Sequence, residues 1–181
     1  LTPQVGHANR SYVVLNDPRR FGWIDLFAES SIAKHKLLAG LGVEPLGNKF
    51  SATWLEAAFR GRSAPVKNAL LNQSLIAGIG NIYANEALFK AKIRPTRQAG
   101  NISLKQYETL SMEIVSILRK SINKGGTTLR DFIRSNNKPG YFKNELMVYG
   151  RAGMACKNCP SLLKEIRLAQ RSSVYCPKCQ S

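Results

Sequence analysis

The sequence predicts a mainly α chain with small β parts, on three observations. All four cysteines, Cys156, Cys159, Cys176 and Cys179, fall in the last 26 of 181 residues as C-x2-C-x16-C-x2-C. The middle of the chain carries apolar residues at helical spacing. The first thirty residues alternate or cluster β-favouring residues.

Each C-x-x-C pair can turn tightly enough to aim two thiolates at one ion, and two pairs supply the four sulfurs that tetrahedral zinc takes. Between them, Lys164 to Leu168 and Ser173 to Tyr175 read as a short hairpin with Arg171 near its tip. So short a segment buries little, so the metal must supply most of its folding free energy. Two disulfides or a redox C-x-x-C are the other readings. Disulfides fit a small secreted domain, whereas this chain is long and clusters its cysteines at one end.

Composition narrows the class. At 44% hydrophobic the chain is globular, with length for one domain or two small ones. No apolar run approaches the roughly 18 residues of a spanning helix. The net charge is +16, unevenly distributed: residues 1–59 carry 6 basic and 5 acidic side chains, residues 60–181 carry 21 and 6. A sustained basic excess beside a zinc module points to nucleic acid rather than to a membrane surface.

Along the chain, Ser11 to Leu15 and Phe21 to Phe27 read as strands, joined by the turn Asn16-Asp17-Pro18-Arg19-Arg20-Phe21-Gly22. Such a turn presents two arginines and an aromatic, a plausible groove probe; a core phenylalanine after an Asx-Pro turn is the plainer reading. Two strands do not stabilise themselves, so this sheet reads as incomplete. A Pro/Gly-rich stretch over 44–49 sets a boundary near 46, dividing the chain into 1–46, 47–150 and 151–181. Ser51 to Arg60 reads as a helix with Thr53 and Glu56 at capping-box spacing. Ser103 and Gln106 form a second box, opening a longer helix to about Lys124 that Gly125-Gly126 ends.

Between those helices, 67–90 divides into two short helical pieces around Gly78-Ile79-Gly80. The glycines allow left-handed turns, and Asn81 sits where it can open the second piece. A helix start of this kind is a phosphate site, with Arg62 and Lys67 upstream to add charge. An ordinary helix-loop-helix is the alternative.

Several of these stretches together resemble formamidopyrimidine-DNA glycosylases: Asn-Asp-Pro-Arg-Arg-Phe-Gly (16–22), Ala-Gly-Ile-Gly-Asn-Ile-Tyr-Ala-Asn-Glu (77–86), Gly-Gly-Thr-Thr-Leu-Arg-Asp-Phe (125–132), Lys-Pro-Gly-Tyr-Phe (138–142) with Val-Tyr-Gly-Arg (148–151), and Gln-Arg-Ser-Ser-Val-Tyr-Cys-Pro-Lys-Cys-Gln (170–180). Endonuclease VIII is the sister family; Arg-Arg-Phe-Gly and Lys-Pro-Gly-Tyr-Phe lie nearer the former. The resemblance implies part of a β-sandwich, a helical domain with a helix-two-turn-helix, and a C-terminal zinc hairpin holding one structural zinc. It implies a bacterial, cytoplasmic, nucleoid-associated monomer of base-excision repair that excises oxidised purines from duplex DNA and nicks the abasic strand by β,δ-elimination.

By position, the resemblance makes Arg19 the residue facing the orphaned cytosine, with Arg20 beside it, and Phe21 the wedge beside the everted nucleotide, offsetting part of the cost of extrusion. Asn81 and Arg171 would grip phosphates flanking the lesion, and Arg171 would also serve the δ-elimination step. Arg62 would add a further DNA contact, Lys67 is a DNA-binding candidate from its basic context alone, and 125–142 would contain a loop closing over the damaged base.

The departures are equally specific. The family begins Pro-Glu and uses the proline amine as nucleophile; here the start is Leu1-Thr2-Pro3, with Pro3 acylated. Ala169 and Val174 stand where a glycine and a more aromatic residue are usual. The expectation is a fragment that keeps the DNA-gripping half and, as it stands, cannot form the Schiff base. The rival expectation is a non-enzymatic zinc-dependent DNA-binding protein.

Overall fold

The computed structural model describes residues 13–15, 17, 22, 24–127 and 142–181, the side chain of Lys143 apart. Four α-helices and one hairpin organise them: α1 (Ala52–Phe59), α2 (Val66–Leu70), α3 (Asn81–Lys90), α4 (Leu104–Asn123), β1 (Lys164–Leu168) and β2 (Arg171–Tyr175). Short 3-10 helices lie at Glu29–Lys34, Ala99–Asn101 and Phe142–Glu145.

The strands expected near the start are not observed where the chain is described. Val13 to Leu15 and Ile24 to Phe27 carry no ladder and are exposed, Leu26 at 95%. A strand holds its form by pairing and by burying a face, and these residues do neither. The chain joins the helical unit at Gly42 and Val43. Gly42 N–H donates to Gln73 O (2.8 Å), Val43 N–H to Leu75 O (3.0 Å), and Ala77 N–H to Val43 O (3.0 Å). A Cβ on Gly42 would lie 2.0 Å from Leu75 O, so only glycine permits this approach.

The cap of α1 is Ser51, not Thr53: the Ser51 hydroxyl accepts from Trp54 N–H (3.1 Å), and Thr53 lies inside the helix. Both residue types can cap; Ser51, two residues earlier, holds the extended backbone a cap needs. On α4 the Ser103–Gln106 capping box is present. Its far end closes as the two glycines predict. Gly125 N–H donates to Ile122 O and Gly126 N–H to Ser121 O, the paired bonds of a Schellman end, with φ of 71° and 91°.

The main core lies where α1 and α3 pack on α4. Leu55, Phe59, Ala84, Leu88, Tyr107, Leu110, Ile114 and Ile117 are buried there. Tyr107 brings a hydroxyl into this core and donates it to Ala99 O. A second, smaller core forms under the cysteine module from Phe89, Val148, Leu163, Val174, Cys156 and Cys176. No helix among the described residues is long and apolar enough to cross a membrane.

Candidate zinc centre and nucleic-acid interface

The hairpin pairs antiparallel, from Lys164 with Tyr175 to Leu168 with Arg171. Its two-residue tip, Ala169 and Gln170, has φ of 45° and 61°. Positive φ at both central residues is the turn whose twist matches a hairpin, and glycine or asparagine usually supplies it.

Below the hairpin, the ligand atoms of Cys156, Cys159, Cys176 and Cys179 lie within 4.8 Å of one another, with Cys159 Sγ and Cys176 Sγ 3.4 Å apart. Tetrahedral zinc with sulfur at about 2.3 Å sets such edges at about 3.8 Å. Backbone amides point at three of the sulfurs: Asn158 N–H at Cys156 (3.4 Å), Cys179 N–H at Cys176 (3.3 Å) and Ser161 N–H at Cys159. Burial pushes the Cys156 and Cys179 thiols up, Cys179 to about 12, while the Ser161 amide draws Cys159 down to about 6. Four neighbouring thiols cannot all ionise unaided, so a divalent cation is the partner this donor set calls for. The four cysteines are the ligand set of one structural zinc.

The second knuckle is fastened to the helical unit. Gln180 is buried; its Oε1 accepts from Cys176 N–H (2.8 Å) and its Nε2 donates to Ile93 O (2.8 Å). Ser181 and Arg94 extend the seam through Arg94 N–H to Ser181 O (3.0 Å). On the other side, the buried Glu86 carboxylate accepts from the amides of Met147, Val148 and Tyr149 at 2.8 to 2.9 Å, fixing the segment that leads into the cysteine module.

These ties bring the hairpin tip over the start of α3. Asn81 is the first residue of α3 and not its cap: Gly80 takes the cap position, and no side chain caps it. The Asn81 amide is instead directed sideways, donating to Ser172 O (3.1 Å). Asn85, one turn on, accepts from Val174 N–H (2.8 Å) and donates to Asn81 O (2.7 Å). The preceding turn is shaped by Gln73, to which the sequence reading gave no role. Its Oε1 accepts from Gly78 N–H (2.8 Å) and its Nε2 donates to Ile79 O (3.0 Å), holding Gly78 at φ 82°. A groove of about 300 Å³ results, lined by Leu71, Gln73, Gly78, Ile79, Gly80 and Arg171. Uncapped amides of a helix start meet a guanidinium across it, a combination suited to one phosphate.

Lys67 is not the surface contact expected of it. It is fully buried, with Nζ donating to Ser172 O (2.5 Å) and Ser173 Oγ (2.6 Å). Burial, then the charge of Arg171, lowers its pKa from 10.5 to about 8. Arg62 is exposed, its Nε donating to Ala58 O (2.8 Å), and does not line the groove. Arg19, Arg20 and Phe21 lie outside the described residues, as does most of the stretch expected to close over a base.

Comparison with known proteins agrees with this geometry. The family model described as the formamidopyrimidine-DNA glycosylase H2TH (helix-two-turn-helix) domain matches residues 41–133, over half of the chain. The chain belongs to the formamidopyrimidine-DNA glycosylase family. A second model, the zinc finger found in FPG and IleRS, matches 155–181. The formamidopyrimidine-DNA glycosylase of Hahella chejuensis is 52% identical over 165 residues, covering 91% of this chain and 60% of that protein. That of Marinobacter nauticus is 49% identical over 173 residues, covering 95% and 63%. Among solved structures, the MutM (Fpg) protein of Thermus thermophilus superposes with a TM-score of 0.84 at 35% identity, covering 91% of this chain and 62% of that one. Lactococcus lactis Fpg in complex with DNA containing an abasic site gives 0.78 at 32%, covering 86% and 57%. The chain thus spans about 60% of the length of the relatives it matches.

Proposed function

We propose that these residues form the DNA-gripping portion of a base-excision-repair glycosylase and abasic-site lyase acting on oxidised purines in the bacterial cytoplasm, at the nucleoid. The helical part, 47–150, and the zinc finger, 151–181, form the grip. The observation that carries this reading is the groove between the Gly78–Gly80 turn and Arg171. Its two walls come from different modules, so a phosphate seated there is held only while the zinc hairpin stays docked. The excess of 21 basic over 6 acidic side chains in residues 60–181 supplies the long-range attraction.

Arg171 acts first as an electrostatic clamp on that phosphate and, in the β,δ-elimination, stabilises the leaving phosphate; a guanidinium is too weak an acid to be an easy proton donor. Asn81 shapes the same site from α3. Arg19 faces the orphaned cytosine opposite the lesion, Arg20 adds a DNA contact, Phe21 fills the gap left by the everted nucleotide, and Arg62 adds a peripheral phosphate contact.

Fluorescence anisotropy on an abasic-site duplex and its undamaged counterpart tests this. Both should bind with a steep salt dependence. Arg171→Ala should weaken the abasic complex by about tenfold, the scale of one charged hydrogen-bonding contact. Phe21→Ala should weaken the abasic complex more than the undamaged one. Unchanged binding by Arg171→Ala would rule out the groove as the phosphate site.

A further inference from the structure

Lys67 has a buried ammonium, and none of the ion pairs among the described residues includes it. Burying such a charge without a carboxylate costs free energy that a leucine or methionine of similar volume would not incur. Its contacts show what the charge does there. Its two hydrogen bonds go to two adjacent residues of β2, one to Ser172 O and one to Ser173 Oγ, and Ser172 O accepts from Asn81 as well. Ser173 is fully buried against it.

Strand alternation supplies the next step. Residues two apart on a strand share a face, so Arg171 and Ser173 lie on the same side of β2. Ser173 is clamped by Lys67, and Arg171, one pleat nearer the tip, then overhangs the start of α3 and lines the groove. The tip needs such a clamp, because its turn is made by Ala169 and Gln170, neither of which favours positive φ. We infer that Lys67 is a positioning residue: it makes no contact with DNA and sets Arg171 over the start of α3 by holding Ser172 and Ser173. This rests on the reading of the groove as a phosphate site.

The test is a double-mutant cycle on the zinc-loaded chain with an abasic-site duplex: Lys67→Met, Arg171→Ala and both together, with zinc content and circular dichroism confirming each fold. Lys67→Met keeps length and apolar bulk while removing both hydrogen bonds. Alone it should weaken binding by about fivefold or more, the scale of a lost charged contact. Added to Arg171→Ala it should cost less than about twofold further, because the residue it positions is gone. In the Arg171→Ala background it should also leave the slope of log K against log salt unchanged, whereas a lost phosphate contact lowers that slope by about one.

Multiplying losses, or a lower slope in that background, would overturn the inference and make Lys67 a DNA contact. No effect of Lys67→Met on binding would overturn it as well. An inert Arg171→Ala would instead defeat the phosphate reading, a separate result. Should Lys67→Met fail to fold, Ser173→Ala, which removes the side-chain partner alone, takes its place in the cycle with the same expectations.

Discussion

Leu88 and Phe89 are neighbours in α3 and are buried in different cores, Leu88 among the helices and Phe89 beneath the cysteine module with Val148, Leu163 and Val174. One turn of helix therefore carries the docking of two modules. The arrangement follows from helical geometry: consecutive residues point about 100° apart, so a helix with apolar residues on two sides can serve two cores.

The first prediction separates them. Phe89→Ala should speed zinc loss to a chelator and weaken DNA binding, since the hairpin loses its floor. Leu88→Ala should lower global stability by about 2 to 5 kcal/mol while leaving the zinc off-rate near wild type. Denaturant unfolding and a colorimetric chelator assay read the two effects. Equal zinc loss in both variants would mean that the cores unfold as one.

Removing the metal should have a bounded effect. The capped, twenty-residue α4 and its core owe nothing to the four sulfurs. Chelation of the one bound zinc, or Cys176→Ser, should thus leave most far-UV helical signal while DNA binding falls, because Arg171 loses its support. Metal analysis showing folded, reduced protein without zinc would refute the site itself.

The tip offers a gain of stability. Ala169 and Gln170 hold φ of 45° and 61°, where a side chain with Cβ costs about 1 kcal/mol or more. Replacing the pair by Asn-Gly, as Ala169→Asn with Gln170→Gly, should stabilise the hairpin by about 1 kcal/mol and slow zinc release. An unchanged off-rate would mean that the hairpin does not open ahead of the metal.

What could be read in the sequence was what is local. The cysteine spacing, the Ser103–Gln106 box and the double-glycine helix end are each settled within a few residues, and the structure shows all three. Asn81 and Lys67 were expected to face outward because their partners lie far along the chain, Ser172 at 91 residues from Asn81 and Ser173 at 106 from Lys67. Basic and amide side chains near a glycine turn suggest phosphate. Nothing in the local pattern shows that a strand returns to claim them first. Glu86 escaped notice for the same reason, since it meets its amides 61 to 63 residues later, whereas Gln73 bonds locally, five and six residues on, to Gly78 and Ile79, and its pattern resembles that of any exposed turn glutamine. A polar residue inside an otherwise apolar helix face, as at Asn85 and Glu86, is the one signal that could have flagged them.

Lys67 makes the stability of the chain depend on pH. Burial, with Arg171 adding to it, lowers its pKa from 10.5 to about 8 in the folded chain. Below pH 8 both folded and unfolded chains carry the proton, and the full cost of burying the ammonium stands. Between about 8 and 10.5 the unfolded chain holds the proton while the folded one has released it. The unfolded state then binds more protons, so this residue's contribution to stability rises with pH across that window. The neutral amine still has hydrogens to donate to Ser172 O and Ser173 Oγ, so the clamp survives its own deprotonation. Denaturant midpoints of the zinc-loaded wild type and Lys67→Met at pH 7.0, below the window of 8 to 10.5, and at 8.5 and 9.5, inside it, provide the check. The wild type should gain on the variant as pH rises. Tyr107, whose pKa burial raises, opposes this only at higher pH and is common to both chains. A wild type that gains nothing on the variant from pH 7.0 to 9.5 would show an ammonium that keeps its proton in the folded chain across that range, and would overturn the lowered pKa.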